Sequence, residues 1–336
     1  MSASSISKRL DMHVDVSAVI PLPGPHRVAM TVYLPDVDRL TQPPVAIFAS
    51  PGGGYTRHYY DMSFAGHAGY SEAEYHCAQG LIFIAYDHLG VGDSSTEHLG
   101  AYTVEHLAAA NDSAVRQVIE LLRSGTLTEG YAALPMLRKV GIGQSMGGCI
   151  TLIMQGRHAT FDAVAALGYS ALHTVLPQRN PEDVKRGIDA HNQGREAAPA
   201  ELSVQQSSLQ IVDFVYPFHW EDVPQDILEA DMAGGYPIRL TAPAFGSLTV
   251  PPCAVAMMSE GFIREEANLI TVPVLMAMGE RDVSQHPQLE PSAFAQARDV
   301  SVFVVPSMAH MHNFASSRLT LWARINRWAM MVITDV

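Results

Sequence analysis

The sequence predicts an α/β chain in which a mostly parallel sheet is covered on both faces by helices. Short, continuously apolar runs such as Val45 to Ala49, Leu81 to Tyr86 and Ala163 to Tyr169 read as strands buried on both faces. Between such runs lie segments with helical spacing, as in Val104, Leu107, Ala108, Val115, Val118, Ile119 and Leu122. A glycine-flanked serine, Gly143-Gln144-Ser145-Met146-Gly147, stands where one strand gives way to a helix.

Taken in order, Met12 to Ile20 and Arg27 to Leu34 alternate apolar and polar residues, as strands with one wet face do. The turn Pro21-Leu22-Pro23-Gly24-Pro25 joins them. The buried strand Val45 to Ala49 runs into Ser50-Pro51-Gly52-Gly53-Gly54. Ser71 to Gln79 reads as a helix that stops at Gly80. The strand Leu81 to Tyr86 ends in the tight turn Asp87-His88-Leu89-Gly90-Val91-Gly92-Asp93-Ser94. Thr103 to Arg123 is a long amphipathic helix, and the strand Val140 to Gly143 leads to Ser145 and a helix reaching about Arg157. After the strand Ala163 to Tyr169 come Val274 to Met278, Val300 to Val305 and a last helix from about Ser317 to Met331. Alternating strands and helices with apolar runs place the helices on the faces of one sheet.

The stretch from Ala171 to Ala267 breaks this rhythm and is richer in proline, glutamine and aromatics. It reads as an insertion over the sheet. The expected organisation is a core of residues 12–170 and 268–336, an inserted cap of residues 171–267 and an N-terminal extension of residues 1–11.

Bulk properties narrow the function. Hydrophobic residues make up 48% and charged residues 16%, against a globular average of about 25% charged. That balance suits a large core and an apolar pocket. The net charge of −13 argues against nucleic acid and anionic membranes, which need a basic face. Cys77, Cys149 and Cys253 are widely spaced and odd in number, so neither a disulfide framework nor a Cys-x-x-Cys metal site is expected. A reducing cytoplasm is the expected location. Met1 to Leu10 lacks the apolar stretch of a signal peptide, and no run approaches the roughly 18 apolar residues of a membrane span.

Gly141-x-Gly143-x-x-x-Gly147 also has the outline of a dinucleotide fingerprint. That site needs an acidic residue at the end of the next strand, and Asp162 comes before that strand. No Gly-Lys-Ser/Thr phosphate loop is present. His58, His67, His76 and His88 match no metal-ligand spacing.

A serine hydroxyl becomes a nucleophile when a base takes its proton and an acid orients the base. The last strand is followed by His310 and His312, and the strand before it by Glu280-Arg281-Asp282. Loops at neighbouring strand ends bring such groups together.

In this order, Ser145, Asp282 and His310, the chain resembles the α/β-hydrolase superfamily and its serine esterases. Asp87-x-x-Gly90-x-Gly92-x-Ser94 is similar to the glycine turn after the superfamily's fourth strand, and Ser50-Pro51-Gly52-Gly53-Gly54-Tyr55 to the esterase His-Gly-Gly-Gly loop, with Pro51 in the histidine's place. The resemblance covers about residues 27–170 and 270–332. It implies an α/β-hydrolase fold and ester cleavage through an acyl-enzyme, with catalytic Ser145, His310 and Asp282. It implies an oxyanion hole from the backbone amides of Gly53, Gly54 and Met146. By the resemblance, the superfamily's usual Val-Pro-x-x-x-His interval favours His310 over His312 as base, and its Gly-x-x-Asp spacing favours Asp282 over Glu280 as acid.

The expected partner is a small-molecule ester, with neither cofactor nor metal. Tyr55, Phe218, Trp220, Met257 and Met311 are candidate pocket residues. Phe214, Tyr216, Met232, Tyr236, Phe245 and Met258 are further apolar side chains of the insertion. Lactonases, C–C bond hydrolases, thioesterases and acyltransferases use the same triad. A ligand-binding protein on the same scaffold is the non-enzymatic alternative.

Overall fold

The computed structural model describes residues 5–196, 204, 211–236 and 238–334. Eight strands form one sheet: β1 (Lys8–Asp15), β2 (Arg27–Leu34), β3 (Val45–Ser50), β4 (Ile82–Tyr86), β5 (Arg138–Gln144), β6 (Ala163–Leu167), β7 (Val274–Arg281) and β8 (Val300–Ala309). Their spatial order is β1-β2-β4-β3-β5-β6-β7-β8. Both β1–β2 and β2–β4 are antiparallel, and every pair from β4 to β8 is parallel. The carboxyl ends of β3, β5, β7 and β8 therefore open on one side of the molecule.

Strand alternation divides the core in two. Ala46 and Phe48 of β3 and Ile82 and Ile84 of β4 face α2 (Val104–Ser124) and α3 (Met146–His158). Val45 and Ile47 of β3 and Phe83 of β4 face α1 (Glu72–Ala78) and the last helix, Arg318–Thr334, whose Trp322 and Trp328 are buried against them. Every residue of β3, β4 and β6 is buried, as continuous apolar runs require. Helix α2 starts at Thr103, whose side chain accepts from the His106 amide while the His106 ring accepts from the Thr103 amide. It ends at Gly125 in the left-handed conformation.

The first strand lies four residues earlier than its expected start and includes Lys8 to Asp11 of the expected extension. At the sheet edge one face of β1 is wet, so charged residues are tolerated and the apolar pattern blurs. Past Asp15 the chain turns at Ser17–Val19, with the Ser17 amide donating to the Asp15 carboxylate. At the other edge, β8 runs on to Ala309 through Pro306, a residue that edge strands admit.

The β6–β7 connection carries α4 (Pro181–Glu196), α5 (Val215–Phe218), α6 (Gln225–Met232), a 3-10 turn (Pro252–Met258) and α7 (Arg264–Leu269); the final helix, Arg318–Thr334, is α8. The expected insertion falls partly on residues 197–203, 205–210 and 237, and the expected extension on residues 1–4, which lie outside the described residues. All three cysteines are free and buried. Among the described residues no helix is long and apolar enough to cross a membrane, and no cluster of three or more His, Cys, Asp or Glu could hold a metal ion.

Candidate active site

Ser145 joins β5 to α3 with φ 52° and ψ −116°, a backbone conformation that non-glycine residues rarely adopt. Its amide donates to the Leu167 carbonyl at 2.8 Å. The flanking glycines make the turn possible. A Cβ on Gly143 would lie 2.2 Å from the Gly147 backbone, and one on Gly147 would lie 2.2 Å from the Ser50 carbonyl. The turn thus lifts the half-buried Ser145 side chain out of the sheet.

A histidine and a carboxylate arrive from the ends of β8 and β7. His310 Nε2 stands 2.9 Å from Ser145 Oγ, and His310 Nδ1 stands 2.6 Å from Asp282 Oδ1. Asp282, rather than Glu280, meets the imidazole. Glu280 is exposed and accepts from the Ser307 amide instead. Burial on its own would raise the Asp282 pKa, but the His310 and His312 imidazoles outweigh it and hold the carboxyl well below the usual carboxylate range. His312 is not the residue that meets Ser145; its Nε2 lies 2.7 Å from Asp282 Oδ2.

Two residues that the sequence did not single out hold this line in place. Gln144 Nε2 donates to the His310 carbonyl at 3.0 Å. Gly168, with φ 62°, lies beneath the His–Asp pair, where an added Cβ would come 3.0 Å from His310 Nδ1 and 3.3 Å from Asp282 Oδ2.

The loop after β3 runs directly against the serine. A Cβ on Gly52 would be 3.2 Å from Ser145 Cβ. Gly53 lines the cleft over Ser145, Gly54 has φ 83°, and Met146 opens α3, where the first amides have no intrahelical acceptor.

The order and pairing of these strands and helices have counterparts among solved structures. An esterase from Thermogutta terrifontis is 15% identical with a TM-score of 0.62, covering 96% of this chain and 99% of its own. A haloalkane dehalogenase loop variant from Bradyrhizobium elkanii is 12% identical with a TM-score of 0.63, covering 98% of each chain. A proline iminopeptidase from Mycobacterium smegmatis is 16% identical with a TM-score of 0.58, covering 96% and 98%. The chain folds as an α/β-hydrolase. No family model matches it, and no curated protein does.

Like the Ser145–His310–Asp282 line, the neighbouring turns are knitted by buried polar groups. Asp87 accepts from the Arg57 amide, the Arg57 guanidinium and the Asp93 amide, and Ser94 Oγ donates to the Asp87 carbonyl. His88 donates through Nε2 to the Pro51 carbonyl at 3.1 Å, while Asn111 Nδ2 donates to its Nδ1 at 2.9 Å. Burial pushes His88 down to about 4, so it stays neutral while holding the base of the glycine loop.

The β6–β7 connection meets the site at two places. At the glycine loop, the Thr56 amide donates to Phe245 O, the Ser247 amide to Gly54 O and Tyr236 OH to Gly53 O. At the histidine loop, the His310 and Met311 amides donate to Pro217 O and Phe218 O.

Between these contacts lies a cleft of about 120 Å³ over Ser145 and His310. Phe218 and Met257 line it, as do Phe214, Tyr236 and Met258. Three expected pocket residues sit elsewhere. Tyr55 is buried beneath the loop because its hydroxyl donates to Asp231, which also meets His219 and Arg239. Trp220 stacks under the Arg281 guanidinium, 4.6 Å from ring centroid to Cζ. Met311 packs into the core on the α8 side of the sheet.

No Asp, Glu, Lys or Arg is among the described lining residues, and several polar ones are already engaged. Tyr169 OH donates to Met257 O, Thr174 Oγ1 to Ser170 O and Tyr236 OH to Gly53 O. His191 Nε2 lies 2.7 Å from Met258 Sδ, and burial pushes the ring down to about 4. These groups have little left to offer a polar ligand.

Proposed function

We propose that the protein is a serine hydrolase that cleaves carboxylic esters of small to medium apolar substrates through an acyl-enzyme. The carrying observation is the continuous line from Ser145 Oγ through His310 to Asp282 Oδ1, at 2.9 and 2.6 Å. In this reading Ser145 Oγ attacks the carbonyl carbon as its proton passes to His310 Nε2. Asp282 holds the imidazole with its proton on Nδ1 and balances the imidazolium. The tetrahedral oxyanion is met by backbone amides of the glycine loop, Gly53 with Gly54, and by Met146. Collapse expels the alkoxide, which leaves as alcohol with the His310 proton. Water then attacks the acyl ester and gives its proton to His310. The acid is released and Ser145 regains its hydroxyl.

The cleft supports the substrate class. A substrate with a free ammonium or carboxylate would lose hydration and find no opposite charge among the described lining residues. Dehalogenation is disfavoured by the nucleophile itself, since a serine that displaced halide would be left as an ether that water does not cleave. Residues 171–267 serve in this reading as a cap that sets substrate size, and the partner is a small-molecule ester.

The test is a panel of 4-nitrophenyl esters graded by acyl length, run on the wild type and on Ser145→Ala. The expected outcome is turnover that rises with acyl hydrophobicity up to a size limit and is absent in the variant. Equal turnover by both proteins would overturn the assignment.

A further inference from the structure

Asp282 accepts four hydrogen bonds, and only one goes to the base. Oδ1 takes His310 Nδ1 at 2.6 Å and the Val283 amide at 2.8 Å. Oδ2 takes the Gly279 amide at 2.9 Å and His312 Nε2 at 2.7 Å. The Gly279 amide belongs to the end of β7 and the Val283 amide to the residue after the aspartate, so both lie within three residues of it in the chain. Among the described residues, the donors from distant parts of the chain are His310 and His312.

The two imidazoles share a carboxylate but have different outlooks. The second nitrogen of His310 faces Ser145 Oγ. The second nitrogen of His312, Nδ1, is buried with no hydrogen-bond partner among the described residues. A proton there would be an unsatisfied buried donor, so the proton sits on Nε2, where it can be given to Asp282. His312 is also firmly seated. The next residue, Asn313, receives Trp322 Nε1–H on its side-chain oxygen, gives its side-chain NH2 to Glu72 and the Tyr59 carbonyl, and gives its amide to Tyr59 OH. Rotation about the carboxylate's last torsion is intrinsically soft. A seated side-chain donor on Oδ2, added to the Gly279 amide of β7, removes that freedom and leaves Oδ1 aimed at His310.

Resting on the proposed serine hydrolase reading, we propose that His312 is a positioning residue. It fixes the plane of the Asp282 carboxylate, and through it the orientation of His310, without touching substrate or exchanging a proton with Ser145.

Three substitutions separate this role from packing. His312→Phe fills the ring's space with no donor. His312→Gln keeps an N–H at about the reach of Nε2, and His312→Asn carries the same amide one methylene short. Two readouts are taken on each: kcat and KM for a short-chain 4-nitrophenyl ester, and the low-field proton resonance of His310 Nδ1–H. The expected result is a fall in kcat on the order of 10- to 100-fold for Phe and Asn, the scale at which small misplacements act. KM stays unchanged, and the resonance shifts or is lost to exchange. Gln restores most of kcat and returns the resonance to its wild-type position.

A wild-type resonance and kcat in His312→Phe would overturn the proposal. If that variant does not fold, Gln and Asn variants that match each other in both readouts overturn it equally. Should the wild type fail to cleave esters, the ester reading falls while the resonance still decides the role of His312.

Discussion

Ser145, His310 and Asp282 lie 2.9 and 2.6 Å apart in sequence-distant loops, and each makes a separable prediction. Ser145→Ala removes the attacking oxygen and should lower kcat by about 10³-fold or more, with an unchanged circular dichroism spectrum. Asp282→Asn should cost on the order of 10⁴-fold in kcat by favouring the wrong imidazole tautomer. Glu280→Gln should stay close to wild type, because Glu280 only caps an exposed amide. Steady-state kinetics on one ester checks all three. His88 gives a prediction about pH. Its folded pKa is pushed down to about 4, while an unfolded histidine titrates near 6.5. Between those values the unfolded chain binds a proton that the folded one refuses, so stability falls as pH drops through that window. Urea unfolding at pH 7 and pH 5 should show a loss in wild type that is smaller by on the order of 1–2 kcal/mol in His88→Gln. The juxtaposition of Ser145, His310 and Asp282 was legible because each residue follows a strand end at an interval that can be counted. His312 was weighed only as a rival base. Its bond to the far oxygen of Asp282 depends on a turn pinned through Asn313, and no local pattern announces that. Gly168 was hidden likewise, since what it clears is a pair of side chains from two other strand ends.

At the scale of elements, the turn that carries Ser145 is held by close backbone approach. Gly147 passes so near β3 that a Cβ would sit 2.2 Å from the Ser50 carbonyl and 2.7 Å from that of Pro51. Neither carbonyl is the end of a flexible side chain. Gly147→Ala should therefore destabilise the protein by about 1–3 kcal/mol and displace Ser145, seen as a lower thermal midpoint together with a lower kcat. Buried strands were the most readable elements. For β3, β4 and β6 a continuous apolar run is the requirement of a sheet covered on both faces, and their bounds agree with the sequence within two residues. Edge strand β1 was misplaced because Lys8, Arg9 and Asp11 face water there and conceal the pairing with β2. The β6–β7 connection was least readable. Apart from α4, its helices are short and answer to the site's loops rather than to a periodic face, so an aromatic such as Trp220 reads as pocket while serving as a platform for Arg281.

For the whole molecule, a net charge of −13 is combined with a cleft that shows no charged side chain among its described lining residues. Both features turn away anionic substrates, the surface at long range and the cleft by desolvation. A butyrate ester should be cleaved with kcat/KM at least about tenfold above the hemisuccinate ester of the same alcohol, since even a partly desolvated carboxylate costs more than 1.4 kcal/mol. Competition between the two esters, followed by chromatography of the released acids, would measure that ratio.

Main-chain hydrogen bonds from the β6–β7 connection end on both the glycine loop and the histidine loop. A part so attached cannot swing clear as a hinged door, because lifting it would strip partners from the amides and carbonyls that shape the site. Substrate exchange at such a site must use side-chain motion or the fraying of a limited stretch. Melting of the whole connection would disarm catalysis before the sheet itself gave way. Heat or denaturant would then abolish turnover while most of the far-ultraviolet dichroism from the sheet and its flanking helices remained.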